Sequence, residues 1–327
     1  MDQAPPHATG RPLVIERAVL VLDKIGDIRA HLDAARAQGG TVGFVPTMGA
    51  FHEGHRSLMR AARAQHDTVV VSLFVNPLQF GPGEDLARYP RDLGGDLAVA
   101  AAEAVDVVFA PPVEEMYPGF PAPPLTTVSV AGLTDRLCGS ARPGHFDGVA
   151  TVVTKLFSIV GPSTAYFGKK DAQQLAVVRR MAADLCLPVQ IVGCPLVREA
   201  DGLAMSSRNR GLSAAQREAA TVIHRGLRAG ADLVVEGGER DAGRLRRVVA
   251  NVLTTEELVR LEYAEVVAAD ALAPLEVLEG DVLVAVAARV GDVRLIDNMT
   301  IHVDAEGAVV DLGVAVAPTE EGLCAAR

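Results

Sequence analysis

Lysine is scarce in this chain: of 31 basic residues only Lys24, Lys155, Lys169 and Lys170 are lysines, against 41 acidic residues. The formal net charge of −10 excludes a general attraction to nucleic acid, whose electrostatic footprint is a basic face. Cysteine is scarce too. Cys138, Cys186, Cys194 and Cys324 form no CxxC pair, so neither a disulfide nor a zinc site is expected, and free thiols in a reducing cytoplasm account for them. No run of eighteen apolar residues occurs. Even the Ala/Val-rich stretch 97–113 is interrupted by Glu103 and Asp106, which leaves no membrane-spanning helix to expect. Residues 1–12, with Pro5, Pro6, Gly10 and Pro12, lack the apolar core of a signal peptide and read as a loose leader. A soluble cytoplasmic protein is expected.

At 327 residues with 49% hydrophobic and 22% charged residues, the chain exceeds what one compact core usually spans, so two domains are expected. Short apolar runs at 41–45, 68–75, 105–110, 164–167 and 189–192 read as strands, and they alternate with helical patterns near 55–66, 95–104, 149–160 and 171–186. That alternation predicts an α/β fold with a Rossmann-like parallel sheet, its helices on both faces. Continuous runs such as Val69-Val70-Val71 fit strands buried on both sides. The proline-dense stretch 111–124 predicts an irregular excursion. After Arg210 the texture changes. Ser213 is a suitable N-cap for a helix to about 230, a second helix spans about 240–258, and strands follow at 262–267, 282–290, 293–296, 301–303 and 309–316. A smaller C-terminal α+β domain is therefore expected, with the division at 1–196 and 197–327. No internal repeat is present.

The densest chemistry lies in Val45-Pro46-Thr47-Met48-Gly49-Ala50-Phe51-His52-Glu53-Gly54-His55, which joins a strand to a helix. Both imidazoles fall at the helix entrance, where free backbone N–H groups and the positive helix end favour phosphate. Gly49 and Gly54 allow close approach of phosphate oxygens to the main chain. The imidazoles add N–H donors, and their protonation near neutral pH would add charge as phosphate charge develops. The histidines are three apart across a glycine, not four apart on one helix face, which argues against a metalloprotease-type zinc site. A role confined to capping and packing the turn is the plain alternative.

Further blocks follow in order: Phe74-Val75-Asn76-Pro77-Leu78-Gln79-Phe80-Gly81, Tyr89-Pro90-Arg91, Arg142-Pro143-Gly144-His145-Phe146, Tyr166-Phe167-Gly168-Lys169-Lys170-Asp171-Ala172-Gln173-Gln174, Arg198-Glu199 and Leu203-Ala204-Met205-Ser206-Ser207-Arg208-Asn209. Together with His52-x-Gly54-His55 they resemble the pantothenate synthetase family of the His-x-Gly-His nucleotidyltransferase superfamily, over roughly residues 40 to 212. The resemblance implies an ATP-dependent condensation of pantoate with β-alanine by way of a pantoyl adenylate, with AMP and pyrophosphate released. It also implies a homodimer, and ATP with Mg²⁺ as the substrate complex.

Carried onto this sequence, the resemblance implies an ATP site of Pro46, Thr47, Met48, Gly49, His52, His55, Gly168, Lys170, Asp171, Val197, Met205, Ser206, Ser207 and Arg208. His52, His55, Lys170, Ser206, Ser207 and Arg208 would act on the phosphates. Gln79 and Gln174 would hold pantoate, with Met48 and Phe80 as apolar walls and Asn76 in support. The chemistry agrees with these types. An amide offers donor and acceptor without burying a charge, a guanidinium reads phosphate oxygens, and a lysine in so arginine-biased a chain points to a need for a compact charge. No dedicated protein cage for a metal is expected, because Mg²⁺ usually arrives on the nucleotide. Lys169 and Ala172 depart from the family pattern beside the lysine–aspartate pair, and Phe51 replaces a leucine. Two other readings stay open: a nucleotidyltransferase moving AMP onto a phosphate, which would call for a more basic acceptor pocket, and a silent nucleotide-binding scaffold. A class I aminoacyl-tRNA synthetase is disfavoured by length and acidity.

Overall fold

The computed structural model describes residues 19–81 and 85–316; the leader 1–12, Cys324 and the end of the chain lie outside them. Six strands form a parallel sheet: β1 (Leu20–Leu22), β2 (Val42–Thr47), β3 (Thr68–Leu73), β4 (Val107–Phe109), β5 (Ser163–Gly168) and β6 (Val189–Cys194), in the order β1-β4-β3-β2-β5-β6. The expected Rossmann-like parallel sheet is present. Val69, Val70, Val71, Val107 and Val108 are fully buried, which is why these strands read as unbroken apolar runs. Among the described residues no helix is long and apolar enough to cross a membrane.

Strand order reverses between β2 and β5, since β3 and β4 lie to one side of β2 while β5 and β6 lie to the other. The β2–β5 ladder is short, pairing Gly43 with Thr164 and Phe44 with Ala165 only. Beyond it the strands part and open a crevice at their carboxyl ends, the place where open α/β sheets bind ligands. β2 runs two residues past the expected 41–45, through Pro46 and Thr47, which pair with β3 alone. With no β5 partner at that point, the proline removes no ladder donor on that side.

The helix His145–Val160 starts four residues before the predicted 149 and packs across the sheet. Gly148 explains how closely it docks. A Cβ there would stand 2.3 Å from the Leu78 carbonyl oxygen, so glycine lets the helix press against the 3-10 turn Pro77–Gln79 that follows β3.

After the two-residue strand β7 (Val197–Arg198), the chain builds an antiparallel sheet from β8 (Val259–Ala268), β9 (Gly280–Val290), β10 (Val293–Val303) and β11 (Ala308–Asp311), in the order β11-β10-β9-β8. The strand β12 (Val314–Ala315) returns to pair in parallel with β7. Helices Ala214–Ala220, Val222–Val235 and Ala242–Leu253 cover one face. Alternation along β9 assigns the faces: Val282, Val284, Val286, Ala288 and Val290 pack under the helices, while Leu283 and Ala285 join the core of the parallel-sheet unit. This is the expected C-terminal α+β arrangement. Its details differ from the pattern reading. The helix expected from 213 to 230 is broken at Thr221, the strands expected at 293–296 and 301–303 are one strand, and the run 309–316 is two.

Candidate functional site

The turn after β2 is fixed from a distance. Gly49 and Ala50 both have positive φ, +86° and +56°, a conformation that strains alanine. Asp96, buried in the helix Leu93–Ala102, holds it there by accepting the Ala50 N–H at 2.9 Å and the Phe51 N–H at 2.8 Å. A Cβ on Gly49 would stand 2.7 Å from the Asp96 Oδ2, so the glycine makes room for the anchor. Thr47 Oγ1 ties the same loop to β3 through the Ser72 carbonyl at 2.6 Å.

His52 is the N-cap of the helix Glu53–Arg63. Its Nδ1 accepts the Gly54 N–H at 3.2 Å, and the His55 Nδ1 accepts the His52 N–H at 3.3 Å, so the two histidines form a reciprocal capping box with rings 4.1 Å apart. Two expectations are corrected here. The backbone donors of the helix entrance are not a free phosphate cradle: Ala50 and Phe51 give theirs to Asp96, His52 and Gly54 to imidazole nitrogens, and His55 to the His52 carbonyl. Nor are the rings charged near neutral pH. Burial first, then Lys170 and Arg210, lowers the His52 pKa to about 4, and burial followed by His52 lowers that of His55 to about 3. With both Nδ1 atoms accepting, the neutral rings carry their protons on Nε2. Capping thus orients the donors instead of competing with them.

Beyond β3, Gln79 is nearly buried, and its amide Nε2 lies 3.0 Å from the Met48 sulfur. Asn76 lies behind it and does not line the crevice. Both its N–H groups are donated, to the Gly148 carbonyl at 3.0 Å and to Gln79 Oε1 at 3.2 Å, and its Oδ1 accepts the Tyr117 hydroxyl at 2.9 Å. It aims Gln79. Two residues quoted from the sequence without a role also act here. His145 Nδ1 meets the Gln79 carbonyl at 2.8 Å, and Arg142 donates to His145 Nε2 at 3.0 Å and to the Gln79 carbonyl at 3.2 Å, which fixes His145 with its proton on Nδ1. Of the adjacent glutamines only Gln174 reaches the inner part of the crevice; Gln173 borders its outer part alone and spends its amide N–H groups on the carbonyls of Leu133 and Arg136 at 2.8 and 2.7 Å.

The end of β5 and the turn after it present Gly168, Lys170 and Asp171. Lys170 Nζ is 3.9 Å from Asp171 Oδ1 and largely shielded from solvent. Asn298, on β10 of the other sheet, donates to the carbonyls of Lys169 and Lys170 at 3.0 and 2.8 Å. Lys169 is not simply solvated. Its ammonium pairs with Asp311 at 2.8 Å. Below, a buried bidentate pair joins Arg198 to Asp297 at 2.7 and 2.9 Å. The turn Ser207–Gly211 is capped by Ser206, whose Oγ accepts the Arg208 N–H, while Asn209 is anchored to Glu199 at 2.7 Å.

These pieces meet in one cleft. An inner cavity of about 240 Å³ is walled by Pro46, Thr47, Met48, His52, His55, Gln79, Phe80, Gly168, Lys170, Asp171, Gln174, Val197, Met205, Ser206, Ser207 and Arg208. It continues into an outer cavity of about 830 Å³ that shares Lys170, Asp171, Gln174 and the Ser206–Arg208 turn and is closed by the C-terminal sheet. Of the residues assigned from the sequence to the ATP and pantoate sites, Gly49 and Asn76 are the two outside these walls; Tyr89, Arg142 and His145 are additional wall residues. Neutral donors, one ammonium, a Ser-Ser-Arg turn and two amides make a place for a polyphosphate beside a polar acid. Among the described residues no group of three or more His, Cys, Asp or Glu side chains could hold a metal ion.

The family model for pantoate–β-alanine ligase matches residues 20–300. Pantothenate synthetase of Heliobacterium modesticaldum is 54% identical over 284 residues, 86% of this chain and 99% of that protein. That of Moorella thermoacetica is 53% identical, over 87% and 99%. The crystal structure of pantothenate synthetase from Thermus thermophilus superposes with a TM-score of 0.80 at 47% identity, covering 86% of this chain and 98% of that one. The pantoate–β-alanine ligase of Francisella tularensis, crystallised with β-γ ATP and β-alanine, gives 0.70 at 33% identity, covering 86% and 97%.

Proposed function

The chain belongs to the pantoate–β-alanine ligase family, and from that membership we propose how its cleft performs the reaction. It is an ATP-dependent, AMP-forming ligase. A pantoate carboxylate oxygen attacks the α-phosphorus of ATP and pyrophosphate leaves with the electrons of the broken P–O bond. The β-alanine nitrogen then attacks the acyl carbon, loses a proton, and expels AMP to give pantothenate.

The observation that carries the assignment of roles is the pair of imidazoles, each with Nδ1 satisfied inside the turn and Nε2–H left to face the cleft. Donors held in place before the reaction stabilise charge developing on the α-phosphate without reorganising. Lys170, close enough to depress both imidazole pKa values, supplies the compact positive charge. Ser206, Ser207 and Arg208 take the outer phosphates, with Pro46, Thr47, Gly168, Val197 and Met205 along the nucleoside; Gly49 shapes the turn from behind. Gln79 and Gln174 hold the pantoate hydroxyls and carboxylate between Met48 and Phe80, and Asn76 aims Gln79 from beneath. Holding carboxylate and α-phosphate together removes much of the entropic barrier to their union.

Mg²⁺ enters as part of the nucleotide substrate. Asp171, half exposed beside Lys170, is the carboxylate suited to meet its water shell. The proposed division at 196/197 makes residues 197–327 a unit that closes over the cleft, consistent with the outer cavity lying between loops and helices of the parallel-sheet unit on one side and the antiparallel sheet on the other. A cytoplasmic homodimer is the proposed working form, on family resemblance.

The test is exchange of labelled pyrophosphate into ATP. Pantoate with Mg-ATP should support it in the absence of β-alanine, and β-alanine should then release AMP and pantothenate. Exchange with a phosphorylated acceptor and indifference to pantoate would point to a nucleotidyltransferase instead. A strict need for β-alanine would rule out a free-standing adenylate.

A further inference from the structure

Arg260, Arg289 and Arg294 stand in one register row across three strands: Arg260 of β8 is opposite Arg289 of β9, which is opposite Arg294 of β10. Like charges directly opposed across a sheet are destabilising. A single carboxylate answers the row. Glu262 is the extra residue where the β8 register shifts between Leu261 and Tyr263, and bulges of this kind re-aim a side chain. Its two oxygens go to Arg289 Nε at 2.8 Å and Arg294 Nε at 2.7 Å. That leaves Arg260 without an ion-pair partner among the described residues. Of the remaining Arg294 donors, Nη1 reaches only the Cys138 sulfur at 3.6 Å, and Nη2 is buried with no hydrogen-bond partner.

With Arg142, the row lines a separate cavity of about 540 Å³ that borders the outer cleft and shares Arg142, Arg289 and Arg294 with it. The three arginines of the row share one carboxylate there, in a chain of net charge −10. A structural role accounts for Glu262 with the two arginines it bridges. It does not account for the third cation of the row, whose excess positive charge costs stability unless a further anion meets it.

We propose that this cavity is a second binding site, for an oligophosphate anion, at the mouth of the cleft and apart from the His52–His55 turn. Guanidinium forks match phosphate oxygens two at a time, and a ligand with two or more phosphate units can span the row as a monophosphate cannot. Two sources share this chemistry: pyrophosphate leaving the cleft, which rests on the ligase reading above, and a phosphorylated metabolite arriving from solution.

The experiment is calorimetric titration of the full-length protein with pyrophosphate, its catalytic cleft already saturated with a non-hydrolysable ATP analogue. Wild-type protein should take up one further pyrophosphate per chain. Arg260→Gln/Arg289→Gln should bind it at least ten-fold more weakly, as expected for losing charge-assisted hydrogen bonds, with analogue affinity unchanged. Its urea midpoint should hold or rise, since a like-charge row has been relieved. No uptake by the filled wild type, equal uptake by the variant, or a lowered midpoint would overturn the proposal. If the site serves departing pyrophosphate, the variant also loses kcat in pantothenate formation; if it serves a ligand from solution, kcat is unchanged while pyrophosphate binding is still lost. The titration needs no turnover, so it stands whether or not pantoate supports exchange.

Discussion

His55→Gln separates what the second histidine does for the fold from what it does for the phosphate. Glutamine three residues after an N-cap is the ordinary partner of a capping box, so its side-chain oxygen can accept the His52 N–H as the His55 Nδ1 does now. It carries no proton to titrate. In the native protein the His52 and His55 pKa values lie at about 4 and about 3, below the ordinary 6.5. The unfolded chain therefore binds protons between pH 6.5 and 4 that the folded chain refuses. Stability contributed by a depressed pKa is present above 6.5 and lost as pH falls towards the folded value. From pH 7 to pH 5 this amounts to about 2 kcal/mol per ring, and about 1–2 kcal/mol once water in the open cleft is allowed for. Urea denaturation at both pH values should show His55→Gln within about 1 kcal/mol of wild type at pH 7 and losing about 1–2 kcal/mol less on acidification. Every other titrating group is common to the two proteins, so the difference isolates His55. Pyrophosphate exchange should nonetheless fall about 10²- to 10³-fold, the usual loss when a preorganised donor is removed. Wild-type exchange in the folded variant, or an unchanged acid sensitivity, would refute the picture of a neutral, buried ring that caps with one nitrogen and donates with the other.

Gln79→Ala and Gln174→Ala should each weaken pantoate binding while leaving ATP affinity nearly intact, which calorimetry with the separate ligands can read; lost ATP affinity with pantoate retained would reverse the pocket assignment. Lys170→Ala should cost far more exchange activity than Lys169→Ala, and Lys170→Arg should not restore it fully, because a planar fork does not replace a compact ammonium. The Lys169–Asp311 pair is partly exposed, so breaking it should change stability by no more than about 1 kcal/mol; equal losses of activity at both lysines would mean the loop has been misread. Asp96→Asn should lower stability by about 2 kcal/mol, since one amide oxygen can serve only one of the Ala50 and Phe51 N–H groups and leaves the other unsatisfied. It should also depress exchange without touching any ligand, and an unaltered urea midpoint would show that the turn holds itself.

Much of the parallel sheet was legible because its strands are buried on both faces and its helices are long. Where the signal was weak, so was the reading. β1 is three residues at the sheet edge with Leu20 and Val21 exposed, and the short apolar run 18–22 that contains it carries no alternation. β10 reads from the sequence as two strands, because Asp297-Asn298 between them has the composition of a turn. In the structure both side chains are buried in mid-strand, Asp297 paired with Arg198 and Asn298 with the carbonyls of Lys169 and Lys170. A polar pair in a strand reads as a break until its partners are known, and those partners are about a hundred residues away in sequence.

The site divides along the same line. Residues that face the cleft stand next to one another in the chain, as His52 and His55 or Ser206 to Arg208 do, and the short motifs announce them. Residues that hold those groups in place come from elsewhere in the chain. Asp96 fixes the turn from the Leu93–Ala102 helix, His145 fixes Gln79 from the His145–Val160 helix, and Asn298 fixes the Lys170 loop from the second sheet. Nothing in the local pattern of an aspartate in a helix or an asparagine in a strand distinguishes an anchor from a solvated side chain. The contribution of Asn298 has a structural consequence. The loop bearing Lys170 takes its conformation partly from the antiparallel sheet, so the parallel sheet alone does not set the position of the ammonium, and the two sheets have to be docked for the proposed phosphate site to be formed.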